Sequence, residues 1–268
     1  MIHLKSITRQ EWNKSEAAGF PFALSIVQSL KEIEFNSPVT FFVGENGSGK
    51  STIIEALACA IGSVTVGSES VKTDQSLASV RKLSQYFRLS WLKRTHKGFF
   101  LRAEDFFGYA KKMRQTQEQL QLEMVELERE ARERSELAAS QTRMPYANEL
   151  SGIQRRYGDG LDTRSHGESF MTLFQARFVP GGLYLLDEPE AALSPTRQLT
   201  FISALKQMVE QDSQFIIATH SPIILAFPGA AIWSFDAGTI HQVQYDQLEH
   251  VNLTRDFLQN PQAFLRHL

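Results

Sequence analysis

Apolar residues in this chain come in short dense runs separated by polar loops. Val39-Thr40-Phe41-Phe42-Val43 is a continuous β-rich run, the pattern of a strand buried on both faces of a parallel sheet. Leu183-Tyr184-Leu185-Leu186 and Phe215-Ile216-Ile217-Ala218 repeat that pattern, and Gly98–Ala103 reads as another strand. Between these runs the composition turns helical. Ser51–Ile61 ends at Gly62, a residue suited to a helix C-cap, and Pro195–Gln211 reads as a second helix. Residues 63–80 are rich in Ser, Val and Thr and carry no clear period. Strands alternating with helices predict an α/β fold with a mostly parallel sheet core, whose ligands sit at the C-terminal ends of the strands.

The pattern changes after Gly108. Residues 109–141 are dense in Lys, Arg, Glu and Gln, with Met113, Leu120, Met124, Leu127 and Ala131 at steps of seven, four and three. That spacing predicts a long amphipathic helix of about 30 residues, about 45 Å in length. Arg134 breaks the stripe after two or three heptads, which argues against a sustained coiled coil. The charges form a solvated face or, alternatively, a projection that binds a partner.

Composition adds limits. Of the 268 residues, 42% are hydrophobic and 22% charged, an ordinary globular balance. The formal net charge of -2 gives no global basic excess for nucleic acid. One cysteine, Cys59, rules out a disulfide within the chain and fits a reducing compartment. The N-terminus, MIHLKSITRQEW, lacks the apolar core of a signal peptide. The most apolar stretch, Phe215–Phe227, is interrupted by His220, Ser221 and Pro222 and is too short for a bilayer. These features predict a soluble cytoplasmic protein with no transmembrane segment of its own.

The polar clusters after three strands carry the candidate chemistry. Gly44-Glu45-Asn46-Gly47-Ser48-Gly49-Lys50-Ser51, followed by Thr52, satisfies G-x-x-x-x-G-K-[ST] between a strand and a helix. Its glycines let the backbone curl so that successive N–H groups face phosphate, and the helix N-terminus adds a favourable dipole. Lys50 would reach the β- and γ-phosphates, and the Ser51 hydroxyl would hold Mg2+. Leu183–Leu186 leads into Asp187, placed to support Mg2+, and Glu188, placed to orient or deprotonate an attacking water. His220 follows a further strand and is placed to sense the γ-phosphate. Thr163–Ser169 reads either as an anion-binding loop or as a helix N-cap.

The order of these elements resembles the ATP-binding-cassette (ABC) ATPase superfamily over nearly the whole chain. "GENGSGKST", "LLDEPEAALSP" and "ATHSP" look most like its RecF/SMC-type branch and the small stand-alone predicted AAA-family ATPases near it, as does the tail Glu249–Pro261. The resemblance implies one P-loop ATPase domain over 1–268, with N-terminal β strands and a helical subdomain of about 106–178 inserted in the core. It implies ATP and Mg2+ as cofactors and a head-to-tail homodimer closing over two ATP molecules. Lys50, Glu188 and His220 of one subunit would then face Ser165, Gly167 and Glu168 of the other. Here Arg164, His166 and Glu168 depart from the Leu-Ser-Gly-Gly-Gln signature, which weakens a transporter reading. Ala191–Ser194 matches the loop that crosses the dimer interface, or is a plain turn into the next helix. The Gln expected after the Gly98–Leu101 strand is absent. Glu104 is the substitute, either holding Mg2+ or standing as a solvated strand end. Phe20 and Phe22 are candidates for an adenine platform or for the core. The implied function is a soluble ATP-driven switch on DNA or a protein partner, slow without that partner. The alternative is the nucleotide-binding subunit of a membrane transporter.

Overall fold

The large sheet is built from strands whose alternate residues serve two different cores. The computed structural model describes residues 1–12, 19–66, 69–102 and 166–266, with scattered positions between 104 and 129. The chain opens with β1 (Leu4–Arg9), a one-turn α1 (Ser25–Ser29), β2 (Glu32–Glu34), β3 (Val39–Val43) and α2 (Lys50–Ile61). Next come α3 (Ala78–Ser84), β4 (Phe87–Trp91) and β5 (Phe100–Arg102). After the insert lie α4 (His166–Arg177), β6 (Leu183–Asp187), α5 (Pro195–Glu210), β7 (Gln214–Ala218), the short α6 (Pro222–Leu225), β8 (Ala231–Ser234) and β9 (His241–Val243). Two helices, α7 (Glu249–Gln259) and α8 (Pro261–Leu265), complete the described order.

Six strands form the main sheet in the order β5-β6-β7-β3-β8-β9. The first five run parallel and β9 pairs antiparallel with β8. Side-chain alternation divides the strands between faces. Val39, Phe41, Val43, Leu101, Tyr184, Leu186, Phe215 and Ile217 pack on one face, against α4 and α5 through Phe174, Phe201 and Leu205. Phe42, Phe100, Leu183, Leu185 and Ile216 pack on the other, with Ile53, Ile54 and Leu57 of α2. A three-stranded antiparallel sheet, β2-β1-β4, covers that second core and adds Leu4, Ile7 and Ile33. Both faces are therefore buried, and the central strands read as continuous apolar runs for that reason.

The expected strands and the 51–61 and 195–211 helices are present within a residue or two. Residues 63–80, which carry no period, hold a parallel bridge from Thr65 to Phe100, a turn of 3-10 helix at Gln75–Leu77 and the start of α3. Most of the expected 109–141 helix lies outside the described residues, as does most of the 106–178 subdomain. Positions described between 115 and 129 are helical, and α4 closes the segment.

Candidate functional site

Adjacent strands β6, β7 and β3 end side by side, so their C-terminal loops share one edge of the sheet. Residues 44–49 leave β3 and curl into α2. Gly49 makes the turn with φ 96°, and a Cβ there would lie 2.5 Å from Ile26 Cγ2. No side chain caps α2, which leaves its first N–H groups facing the loop mouth. Lys50 is buried, and its ammonium donates to the carbonyls of Gly44 at 2.7 Å and Glu45 at 2.9 Å. Burial lowers its pKa, while the carboxylates of Glu188, Asp187, Asp236 and Glu190 pull it back up. These carboxylates favour the charged ammonium that burial opposes.

Asp187 ends β6 and is buried. Burial pushes its carboxyl up to about 7, the Ser51 hydroxyl bond opposes that, and nearby Glu55 and Glu188 add to it. Its Oδ1 has no hydrogen-bond partner among the described residues, and neither has Ser48 Oγ. A buried carboxylate oxygen left unpaired beside a serine hydroxyl is the donor set of a hard cation. Among the described residues no group of three or more His, Cys, Asp or Glu is arranged as a metal cage. Mg2+ fits this poverty of protein ligands, because it keeps waters and takes phosphate oxygens beside one or two protein groups.

Glu188 adopts the left-handed region (φ 49°, ψ 52°), uncommon for a side chain of its size and typical of strained functional positions. Its N–H is tied to Ala218 O at 2.9 Å, its carboxylate is half exposed, and Oε1 stands 3.8 Å from His220 Nε2. His220 follows β7; burial first, then Lys50, holds its pKa below the usual value. The neutral imidazole keeps an Nε2 that makes no hydrogen bond among the described residues.

Sequence reasoning missed the residues that brace these groups. Glu190 accepts the His220 N–H through Oε1 at 2.6 Å and is bonded by the Thr219 side chain. Gln198 reaches Leu193 O at 3.1 Å and accepts the Ser221 hydroxyl, joining α5 to the same loop. Asp236, after β8, accepts the Glu45 N–H at 2.9 Å and the Ser234 hydroxyl at 3.0 Å. Glu190 carries a sequence signal, as the third acid of the run after Leu186. Gln198 and Asp236 carry none.

Other expected residues take other places. Glu104 is exposed and pairs with Arg102 Nη1 at 3.4 Å. Arg102 lies opposite Asp187 in the β5–β6 register, and its own guanidinium is bound by Asp105, Asp74, Ser76 and Glu55. Glu104 thus lies in solvent at the margin of a buried ion cluster centred on Arg102. Phe22 is buried edge-on against Trp12 and Tyr86, which makes it core, while Phe20 is 61% exposed. Ser194 caps α5, its hydroxyl accepting the Arg197 N–H. Ser165 lies outside the described residues; Gly167 and Glu168 fall in the first turn of α4. Among the described residues no helix is long and apolar enough to cross a membrane.

A phosphate-binding loop on this strand order, flanked by a strand-end acid pair and a strand-end imidazole, defines the fold of a P-loop ATPase domain. The family model of the AAA domain matches residues 24–175, more than half of the chain, and the chain belongs to that family. A second model, "AAA domain, putative AbiEii toxin, Type IV TA system", matches residues 170–226. No curated protein matches in sequence. Among solved structures, the ATP-binding cassette MJ1267 of an ABC transporter is similar at TM-score 0.50 and 16% identity, over 100% of this chain and 99% of that one. An Smc head domain from Pyrococcus furiosus, bound to the C-terminal domain of ScpA, aligns at TM-score 0.48 and 12% identity over 96% and 100%. The cbiO1 protein of Clostridium perfringens, part of the transporter complex cbiONQ, aligns at 0.46 and 15% over the whole of both chains.

Proposed function

We propose that this chain is a single ATPase domain over residues 1–268, with a helical insert of about 106–178, that binds ATP with Mg2+ and hydrolyses it in a head-to-tail homodimer. In this reading nucleotide binding closes the dimer, hydrolysis opens it, and the insert passes that motion to DNA or a protein partner. The supporting observation is the convergence of Lys50, Asp187, Glu188 and His220 on the adjoining ends of β3, β6 and β7.

Each residue has a task that its surroundings allow. The N–H groups of the 44–49 loop and of the first turn of α2 bind phosphate oxygens. Lys50 exchanges the carbonyls of Gly44 and Glu45 for phosphate oxygens. Ser51 and Asp187 hold Mg2+, which supplies neutralisation of the charge on the transferring phosphoryl group. Glu188, half exposed and beside His220, orients the attacking water and takes its proton. His220, held by Glu190, hydrogen-bonds the γ-phosphate. Ser165, Gly167 and Glu168 reach the γ-phosphate of the partner subunit. The likeness to a transporter cassette is one of fold and does not by itself carry a transport role.

The test is Mg2+-dependent ATP turnover by the purified protein, with and without double-stranded DNA at low salt. Turnover that disappears in Lys50→Ala supports the reading. Stimulation by DNA that fades with added salt identifies DNA as the partner. Low turnover unchanged by DNA favours a protein partner as the activator. Undiminished turnover in Lys50→Ala overturns the assigned site.

A further inference from the structure

The C-terminal helix α7 reaches the same cleft as the phosphate loop. Leu248 and Val251 are buried in the main core and pin the start of α7, so His250 between them is held in place. A cleft of about 660 Å3 is bordered by Gly44 and Glu45 of the loop, by His220, by Asp236, and by His250 and Leu253 of α7. His250 Nε2 is buried and, like His220 Nε2, has no hydrogen-bond partner among the described residues. Lys50 and His250 both weigh against a positive charge on His220, while Glu188 and Asp236 favour it. At His250, burial and Lys50 oppose the charge and Asp236 favours it. Asp236 is itself engaged by the Glu45 N–H and the Ser234 hydroxyl.

Two imidazole nitrogens, unpaired among the described residues and lining one cleft at the end of a phosphate loop, can both donate to one partner with several acceptor oxygens. The cleft they line includes Gly44 and Glu45, whose carbonyls accept from the Lys50 ammonium. A second, smaller cleft of about 250 Å3 adjoins the first through Glu45, Asp236 and Ala237 and runs along Asn46, Gly47 and Ser48 beside Ser25 and Gly238. The histidines line the first cleft and not the second, so a nucleotide lying across the loop would meet them with one end only.

We infer that His250 is a second imidazole donor to the terminal phosphate of a bound nucleoside triphosphate, so that the C-terminal helix α7 distinguishes triphosphate from diphosphate. This rests on the proposal that the loop binds ATP. It goes beyond that proposal by giving the C-terminal segment a direct part in the nucleotide's state. When the terminal phosphate leaves, His250 loses its partner and α7 loses that tie to the cleft.

The test compares binding of a non-hydrolysable ATP analogue and of ADP, both with Mg2+, to wild-type protein, His250→Ala and His250→Gln. The expected result is a loss of about tenfold in affinity for the triphosphate in His250→Ala, with ADP affinity within about twofold. His250→Gln, which keeps a donor, recovers part of the loss. Hydrogen exchange of residues 249–259 in the wild-type protein supplies a readout without any substitution: protection by the triphosphate analogue and not by ADP. If wild-type protein binds both nucleotides and His250→Ala weakens both equally or neither, with exchange in α7 the same for both, this inference falls and the ATP-binding reading stands. If wild-type protein binds neither nucleotide, both fall together.

Discussion

At the scale of residues, the environment of Arg102 shows how the edge of the site is held. Its Nε and Nη2 bond Asp105 at 2.8 and 3.0 Å, Nη2 bonds Asp74 at 2.8 Å, and Nη1 meets Ser76 at 3.1 Å and Glu55 at 3.4 Å. The guanidinium is buried, so its partners cannot be replaced cheaply by water. Arg102→Met should therefore lower the stability of the protein by about 3–5 kcal/mol, read as a fall in Tm, because it strands carboxylates rather than merely deleting a bond. Asp74 gives the pH dependence. Burial raises its pKa, but the Ser76 hydroxyl and N–H and the Arg102 guanidinium outweigh that and hold it below the usual carboxylate range. A carboxyl depressed in the folded state stabilises the protein above its unfolded pKa of about 3.9, and that stability is lost as the pH falls through the folded value. Asp74→Asn should accordingly melt below wild type at pH 7. The difference should shrink below about pH 4, as wild-type Asp74 takes up a proton. A gap that stays constant down to acid unfolding would remove the ion-pair account.

At the scale of elements, the loops after β6 and β7 work as one unit because Glu190 ties them together. Glu190→Gln keeps the shape and weakens the bond to the His220 N–H. ATP turnover should fall by about tenfold with little change in nucleotide affinity, since the loop positions His220 and does not bind the bulk of the nucleotide. Equal losses in turnover and affinity would point instead to general disruption. Gly98 sets the junction of β5 and β6. Its φ of 110° and the 1.9 Å separation of an added Cβ from Leu183 O leave no place for a side chain. Gly98→Ala should cost about 3 kcal/mol in denaturant unfolding, and a neutral result would contradict the strand junction described here.

Strands β3, β5, β6 and β7, the glycine-rich loop and helices α2 and α5 were legible in the sequence because each is announced by a local signal: a run of apolar residues, a Gly C-cap, a Pro at a helix start. Asp187, Glu188 and His220 were legible as the polar residues directly after such runs. Glu190, Asp236 and His250 were not, because their roles depend on contacts across the fold. The Glu190–His220 bond spans 30 residues and the Asp236–Glu45 bond spans 191. The antiparallel sheet was similarly hidden, since β1 is paired by β4 some eighty residues later. Of the two readings of Glu104, its exposure beside Arg102 matches the solvated carboxylate.

At the scale of the whole molecule, the candidate site is open on one side among the described residues. Glu188 and the cleft beside His220 and His250 face outward. The first residues of the phosphate loop stand at the same edge. A site in which the water-orienting carboxylate is half exposed is poorly protected from bulk water, and a second subunit laid over it would supply both the missing wall and the Ser165–Glu168 segment. That closure is the central claim. It is tested most directly by the mass of Glu188→Gln in light scattering with Mg-ATP, then with Mg-ADP. The account predicts a dimer with ATP that reverts to monomer with ADP. A mass that stays monomeric under saturating Mg-ATP would contradict it.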